Sequence, residues 1–175
     1  MGLLAQPDTP PLPFTAVVLS SHTKFIPVTD NGKIAGSLTT LSGQVFEAIR
    51  QATSIGKSID APENAAEDLD WTVVDAAVDA VTSAGFLRAL LMPRFMEVLL
   101  QIPAPARRLF LESAISAEDL EALRDFPRLG FPSDAPYVLI GPASRCRLFG
   151  YLLTRYGKTA SVPLEISAPD AVDRL

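Results

Sequence analysis

The segment WTVVDAAVDAVTSAGFLRALLMPRFMEVLLQI, Trp71 to Ile102, is the longest apolar block of the chain and sets how the rest is read. Trp71, Val74, Val78 and Val81 recur at helical spacing, with Val73, Ala77, Ala80 and Ala84 beside them. Thr72, Asp75, Asp79 and Ser83 take the opposite side. Such a wide apolar stripe predicts a helix packed on a core. Asp70 or Asp68 can cap its first turn, where a carboxylate also suits the positive end of the helix dipole. Gly85 interrupts the pattern, and Phe86 to Ile102 resumes with apolar residues on nearly every side. Pro93 lacks an amide hydrogen, so it kinks that second piece or opens a new helix as its first residue. A membrane span needs about 20 largely uncharged apolar residues, and Arg88, Arg94 and Glu97 break this run. The block reads as scaffold, and no membrane insertion is expected.

The chain has 175 residues, 48% of them apolar and 20% charged, which fits one folded domain with a sizeable core. A formal net charge of −5 argues against direct nucleic-acid binding, which favours a basic surface. Cys146 is the one cysteine and His22 the one histidine, so neither an internal disulfide nor a cysteine-based zinc site can form. No cofactor or metal is expected. The N-terminus lacks the basic start and unbroken apolar core of a signal peptide, so a cytoplasmic protein is expected.

Residues 1–13 carry Pro7, Pro10, Pro11 and Pro13 and read as an extended arm. Residues 14–40 read as strands. Ala16 to Leu19 is a short β-branched run, and Asp30-Asn31-Gly32-Lys33 separates Lys24–Thr29 from Ile34–Leu38. Asn-Gly between apolar runs predicts a type I′ hairpin. Pro27 cannot donate a ladder hydrogen bond, which places its strand at an edge or a bulge. Residues 41–127 read as a helical core: a helix from Ser42 stopped by Gly56, a start at Asp60–Glu63, the central block, a helix over 106–115 and another opening at Ser116. Residues 128–175 read as strand, helix and strand: Tyr137–Ile140, Ala143–Tyr156 and Ala160–Ile166, with a last turn near Pro169. The fold class is therefore α+β: one mostly helical domain over 14–175, with strands from both ends meeting in a small sheet.

No constellation amounts to a catalytic signature. His22 sits in Ser20-Ser21-His22-Thr23 with no Gly-x-Ser-x-Gly elbow, and sequence neighbours do not build a triad. It reads as a hairpin-edge histidine. The acids Asp60, Glu63, Glu67, Asp68, Asp70, Asp75 and Asp79 have no Lys or Arg among them and read as a solvated face with caps, or as an acidic docking surface. Arg145, Arg147, Arg155 and Lys158 lie in a stretch without acids. Near a helix start such arginines can hold a phosphate or carboxylate. No phosphate-loop motif supports a nucleotide, so a surface patch or ion-pair set is the reading taken. The residues selected for interaction are Pro10, Pro11 and Pro13 of the arm, Asp68, Asp75 and Asp79 of the acidic face, and Arg145, Arg147 and Arg155 of the basic one.

The hairpin over 24–39, the helix from Ser42 and the apolar helical block resemble the layout of small bacteriophage tail proteins, including tail-assembly chaperones and baseplate or connector subunits. That resemblance implies a non-enzymatic assembly protein, in the virion or the producing cell, acting through other protein subunits in a homo- or hetero-oligomer. The alternative is a small regulatory protein whose acidic face engages a basic partner.

Overall fold

The computed structural model describes residues 11–61, 69–157 and 163–167. The fold is α+β, and the chain divides into two compact units. The first is built from the residues up to Leu41 and those from Leu120 onward; the second is Ser42–Asp119.

In the first unit a five-stranded mixed sheet runs in the order β3-β2-β1-β4-β5. Its strands are β1 (Phe14–Leu19), β2 (Thr23–Val28), β3 (Leu38–Thr40), β4 (Tyr137–Gly141) and β5 (Leu164–Ser167). β1 and β2 form the tight hairpin, with Leu19 opposite Thr23 and Phe14 opposite Val28. β4 lies parallel to β1, with Val18 level with Ile140, and β5 lies parallel to β4. Strands from the two ends of the chain thus meet in one sheet.

A hairpin does form across Asn31-Gly32, since β2 and β3 pair antiparallel there, but it is loose and its turn is not type I′. The chain does turn there: Thr29 donates to Lys33 and Gly32 to Thr29, both at 2.8 Å. Only Gly32 takes a positive φ, 74°, whereas a type I′ turn needs two such residues. Beyond the turn a lone antiparallel bridge joins Val28 to Ile34, and the Ala35 amide donates to the Pro27 carbonyl at 2.9 Å, before β3 pairs with β2, Thr40 opposite Thr23. Pro27 does not mark an edge. β2 is an interior strand, and on the β3 side two residues, Ile26 and Pro27, face three between the Phe25–Leu38 pair and the Val28–Ile34 bridge, so the proline sits at a bulge-like irregularity, the other place its missing amide allows.

Alternation along the strands sends Val17, Leu19, Phe25, Tyr137 and Leu139 to one face, where they pack with Phe126, Cys146, Phe149 and Leu153. Phe126 belongs to the short helix α7 (Phe126–Leu129), and the last three to α8 (Ala143–Tyr156). Phe25 is fully buried, with its ring 6.1 Å from Phe126 and 6.0 Å from Phe149. The opposite face carries Phe14, Ala16, Val28 and Val138. Cys146 is buried on α8, and burial pushes its thiol up to about 11, with the Glu165 charge adding to the rise and Arg145 opposing it. A thiol reagent at pH 8 should therefore label denatured protein quickly and native protein slowly. Because the thiol is raised only in the folded state, its contribution to stability is intact below its ordinary value of 9.0 and lost as pH climbs to about 11. Urea midpoints across that window check the sign.

The second unit consists of α1 (Ser42–Ala52), α2 (Ile55–Ser58), α3 (Trp71–Ala84), α4 (Phe86–Ala89), α5 (Met92–Val98) and α6 (Ala104–Asp119). Its axis is α6, not the apolar block Trp71 to Ile102. Leu111 and Ile115 pack with Ile49 and Ile59, while Phe110 and Ala114 pack with Ala77 and Ala89. Asp70 caps α3, accepting from the Thr72 amide at 3.0 Å and its hydroxyl at 2.6 Å; those bonds, the hydroxyl's first, hold its carboxyl below the usual range. Val74 and Val78 face inward as the spacing requires, but Trp71 is 40% exposed. Gly85 ends α3 at a φ of 88°, and Pro93 falls in the first turn of α5. Among the described residues no helix is long and apolar enough to cross a membrane.

Two predicted boundaries move. Gly56 does not stop the first helix. It lies inside α2, pressed so close to the Arg50 carbonyl that a side chain has no room. Ser116 opens no new helix, because nothing after Ile115 breaks the hydrogen-bond ladder and α6 runs on to Asp119. Asp119 is buried there and accepts from the buried Ser42 hydroxyl, which ties the last turn of α6 to the first of α1. The helix start read at Asp60–Glu63 and the turn near Pro169 lie largely outside the described residues.

Candidate anion-binding site at the strand ends

Three parallel strands, β1, β4 and β5, point their carboxyl ends the same way. From β1 the chain moves outward to β2 on one side, and from β4 to β5 on the other. The gap between β1 and β4 is thus a topological switch point, and open sheets bind ligands beyond the carboxyl ends of the strands at such a point.

What lies there comes from two distant stretches. After β1 comes the turn Ser20-Ser21-His22, closed by the Ser20 amide donating to the His22 carbonyl at 3.1 Å. The Ser20 hydroxyl donates to the same carbonyl at 3.2 Å. Ser21 Oγ lies 3.1 Å from His22 Nδ1. After β4, Gly141 and Pro142 lead directly into α8. Among the described residues no side chain caps that helix, and its first turn holds no acid. The first internal bond is Cys146 N–H to Pro142 O at 2.9 Å, so the amides of Ala143, Ser144 and Arg145 precede the ladder at the helix start that follows β4.

The two stretches are joined by Arg145, whose guanidinium donates to the Ser20 carbonyl at 2.5 Å across 125 residues of sequence. Below them Gly141 lies against Leu19, where a Cβ would stand 2.7 Å from the Leu19 carbonyl oxygen. Only a residue without a side chain lets β4 end this close to β1. Gly141→Val should therefore cost about 1–3 kcal/mol by overpacking, read as a lower urea midpoint with unchanged slope. Thr23, level with Leu19 and on the Phe25 face of β2, is fully buried. Its hydroxyl has no partner among the described residues. An unpaired buried hydroxyl costs roughly 1–3 kcal/mol, so Thr23→Val should be tolerated in the fold. Amides at a helix start, a guanidinium and clustered hydroxyls make an anion site.

Of the residues selected from sequence, only Arg145 takes part in this meeting point. Arg147 is exposed one residue-pair further along α8. Arg155 sits in the last turn, its guanidinium over the rings of Tyr151 and Tyr156 at 5.9 and 5.7 Å. Asp75 and Asp79 lie on α3 in the second unit, half-buried and exposed respectively. Pro11 and Pro13 precede β1, while Pro10, Asp68 and Lys158 lie outside the described residues. Ser20, Ser21, His22 and Gly141 complete the meeting point and carry no site signature in the sequence. The available signal was the pair of short strands each ending in a small polar or Gly-Pro turn, but their adjacency is a long-range fact.

A protein-family model described as 2-keto-3-deoxy-galactonokinase matches residues 1–168. The chain belongs to that family. A likeness in fold agrees: a crystal structure described as a "putative 2-dehydro-3-deoxygalactonokinase" from Sinorhizobium meliloti superposes with a TM-score of 0.73 at 19% identity. The match covers 98% of this chain and 54% of that one, so the chain spans about half the length of this relative. No curated protein matches it. Membership of a 2-keto-3-deoxy-galactonokinase family overturns the resemblance to phage tail proteins, and with it the expectations of a non-enzymatic assembly subunit and a virion location. The layout of hairpin, helix and apolar block that carried the resemblance is shared by unrelated proteins, because fold layout does not fix function.

Proposed function

We propose that this chain supplies the phosphate-binding part of a kinase that transfers a phosphoryl group from ATP to a hydroxyl of a 2-keto-3-deoxy sugar acid, in the cytoplasm where ATP is made. The observation that supports it is the meeting, in a chain of this family, of the Ser20–Thr23 turn with the start of α8 through Arg145. Phosphoryl transfer asks the protein chiefly for positioning and for stabilisation of charge on the phosphoryl oxygens. Here the α8 amides and Arg145 meet that charge, and the hydroxyls of Ser20 and Ser21 orient the oxygens. In the transfer the bond from the γ-phosphorus to the bridging oxygen breaks, ADP leaves with its electron pair, a bond to the sugar-acid oxygen forms, and that hydroxyl's proton passes to bulk water.

Kinases commonly use a divalent cation held by carboxylates together with the phosphates. The Ser20–Thr23 turn and the first turn of α8 contain no carboxylate, and no group of three His, Cys, Asp or Glu gathers elsewhere among the described residues. These residues fit the phosphate oxygens and not the cation, so no step is routed through a metal here.

Calorimetric titration with ATP, followed by assay of γ-phosphoryl transfer to 2-keto-3-deoxygalactonate, tests the two parts in turn. Salt-sensitive binding is expected. Failure to bind millimolar ATP would remove the phosphate site. Binding without transfer would keep the site and reject this chain as sufficient for catalysis.

A further inference from the structure

Ser20, Ser21 and Thr23 bring three hydroxyls to the β1–β2 turn, and each has a different environment. The Ser20 hydroxyl is committed to the His22 carbonyl at 3.2 Å. Thr23 is fully buried. Ser21 is exposed in the middle of the turn, with its Oγ 3.1 Å from Nδ1 of His22. In the tautomer protonated at Nε2, Nδ1 accepts from that hydroxyl. A hydroxyl within about 2.6–3.2 Å of a base that is itself held in place is the pairing that activates a nucleophile. His22 is so held, because its carbonyl receives both the Ser20 amide at 3.1 Å and the Ser20 hydroxyl. Arg145 donates to the Ser20 carbonyl and fixes the same turn against the start of α8.

We propose that Ser21 is a self-phosphorylation site, which receives the γ-phosphoryl group of ATP with His22 as general base. The inference rests on the ATP site proposed above. The bond between the γ-phosphorus and its bridging oxygen breaks, and ADP leaves with that electron pair. A bond forms between the phosphorus and Ser21 Oγ, whose proton passes to Nδ1 of His22 and from the ring to water. Sugar acid and serine offer the same chemical group, a hydroxyl, so the serine is the acceptor when the sugar acid is absent. The product is a phosphoserine with roughly two negative charges, on the turn that Arg145 ties to α8. Its oxygens compete with those of ATP for the same donors, so the modified chain binds ATP more weakly.

The test incubates phosphatase-treated full chain with γ-labelled ATP, as its magnesium salt, and no sugar acid. A single phosphate is expected, mapped by fragmentation mass spectrometry to Ser21 and absent from Ser21→Ala, at a rate independent of protein concentration. His22→Ala should slow labelling by about a hundredfold. Free imidazole should restore part of that rate, which a purely structural histidine would not allow. Calorimetry with a non-hydrolysable ATP analogue on the same samples reads the ATP site separately. Analogue binding without phosphate on Ser21, phosphate on another residue instead, or His22→Ala labelled at the wild-type rate would each overturn the self-phosphorylation and leave the ATP site standing. Neither binding nor labelling would remove both.

Discussion

Phe25→Ala is expected to lower the unfolding free energy by about 3–5 kcal/mol, the usual cost of emptying a large aromatic from a packed core. Phe25 has no exposed surface and stands between Phe126 and Phe149, which hold α7 and α8 against the sheet. Domains are stable by about 5–15 kcal/mol, so the variant loses a large share of the total. Urea unfolding followed by circular dichroism reads it directly. Ile34→Ala, at a position 68% exposed, should stay within about 0.5 kcal/mol of wild type. Equal losses at the two positions would contradict the assignment of this cluster as the core of the first unit.

Arg145→Ala carries the largest functional effect. A hydrogen bond from a charged donor is worth about 1.5–3 kcal/mol, so ATP affinity should fall at least tenfold. The loss combines the missing guanidinium with a Ser20 carbonyl that no longer ties the β1–β2 turn to α8. Arg147→Ala and Arg155→Ala should change affinity less than twofold, being exposed and, for Arg155, at the far end of the helix. Arg145→Lys should recover only part of the loss, because a lysine keeps the charge but not the planar fork. Unfolding measured on the same samples separates a lost contact from a lost fold.

Local chemistry made much of the fold legible. The stripe of Val74 and Val78, the Asp70 cap, Gly85 and Pro93 each act within a turn of themselves, and each appears as read. The strand at Tyr137 and the helix from Ala143 were equally local. Errors arose where a local signal met a non-local competitor. Asn31-Gly32 does turn the chain between antiparallel β2 and β3, but β1 pairs with β2 along its whole length, so the tight hairpin is the one at Ser20–His22 and the Asn-Gly one is loose. Trp71 fits the apolar stripe by spacing yet faces out, because α6 supplies the surface that α3 packs on.

The site was less legible for the same reason. Arg145 stood out from sequence as part of a basic stretch at a helix start. Its partner is the Ser20 carbonyl, 125 residues away, and backbone groups carry no side-chain signature. His22 has no triad legible in its own neighbourhood of sequence, and a threonine in a strand such as Thr23 is ordinary. No glycine-rich motif announced a phosphate loop. The anion site here is assembled by the parallel pairing of β1 with β4, not by a contiguous stretch.

The most direct test is amide NMR of the full chain titrated with ATP. The shifts should concentrate at Ser20 to Thr23 and at Ala143 to Arg145, saturate together, and vanish in Arg145→Ala. Shifts confined to the second unit, or none at millimolar ATP, would contradict a phosphate site at the ends of β1 and β4.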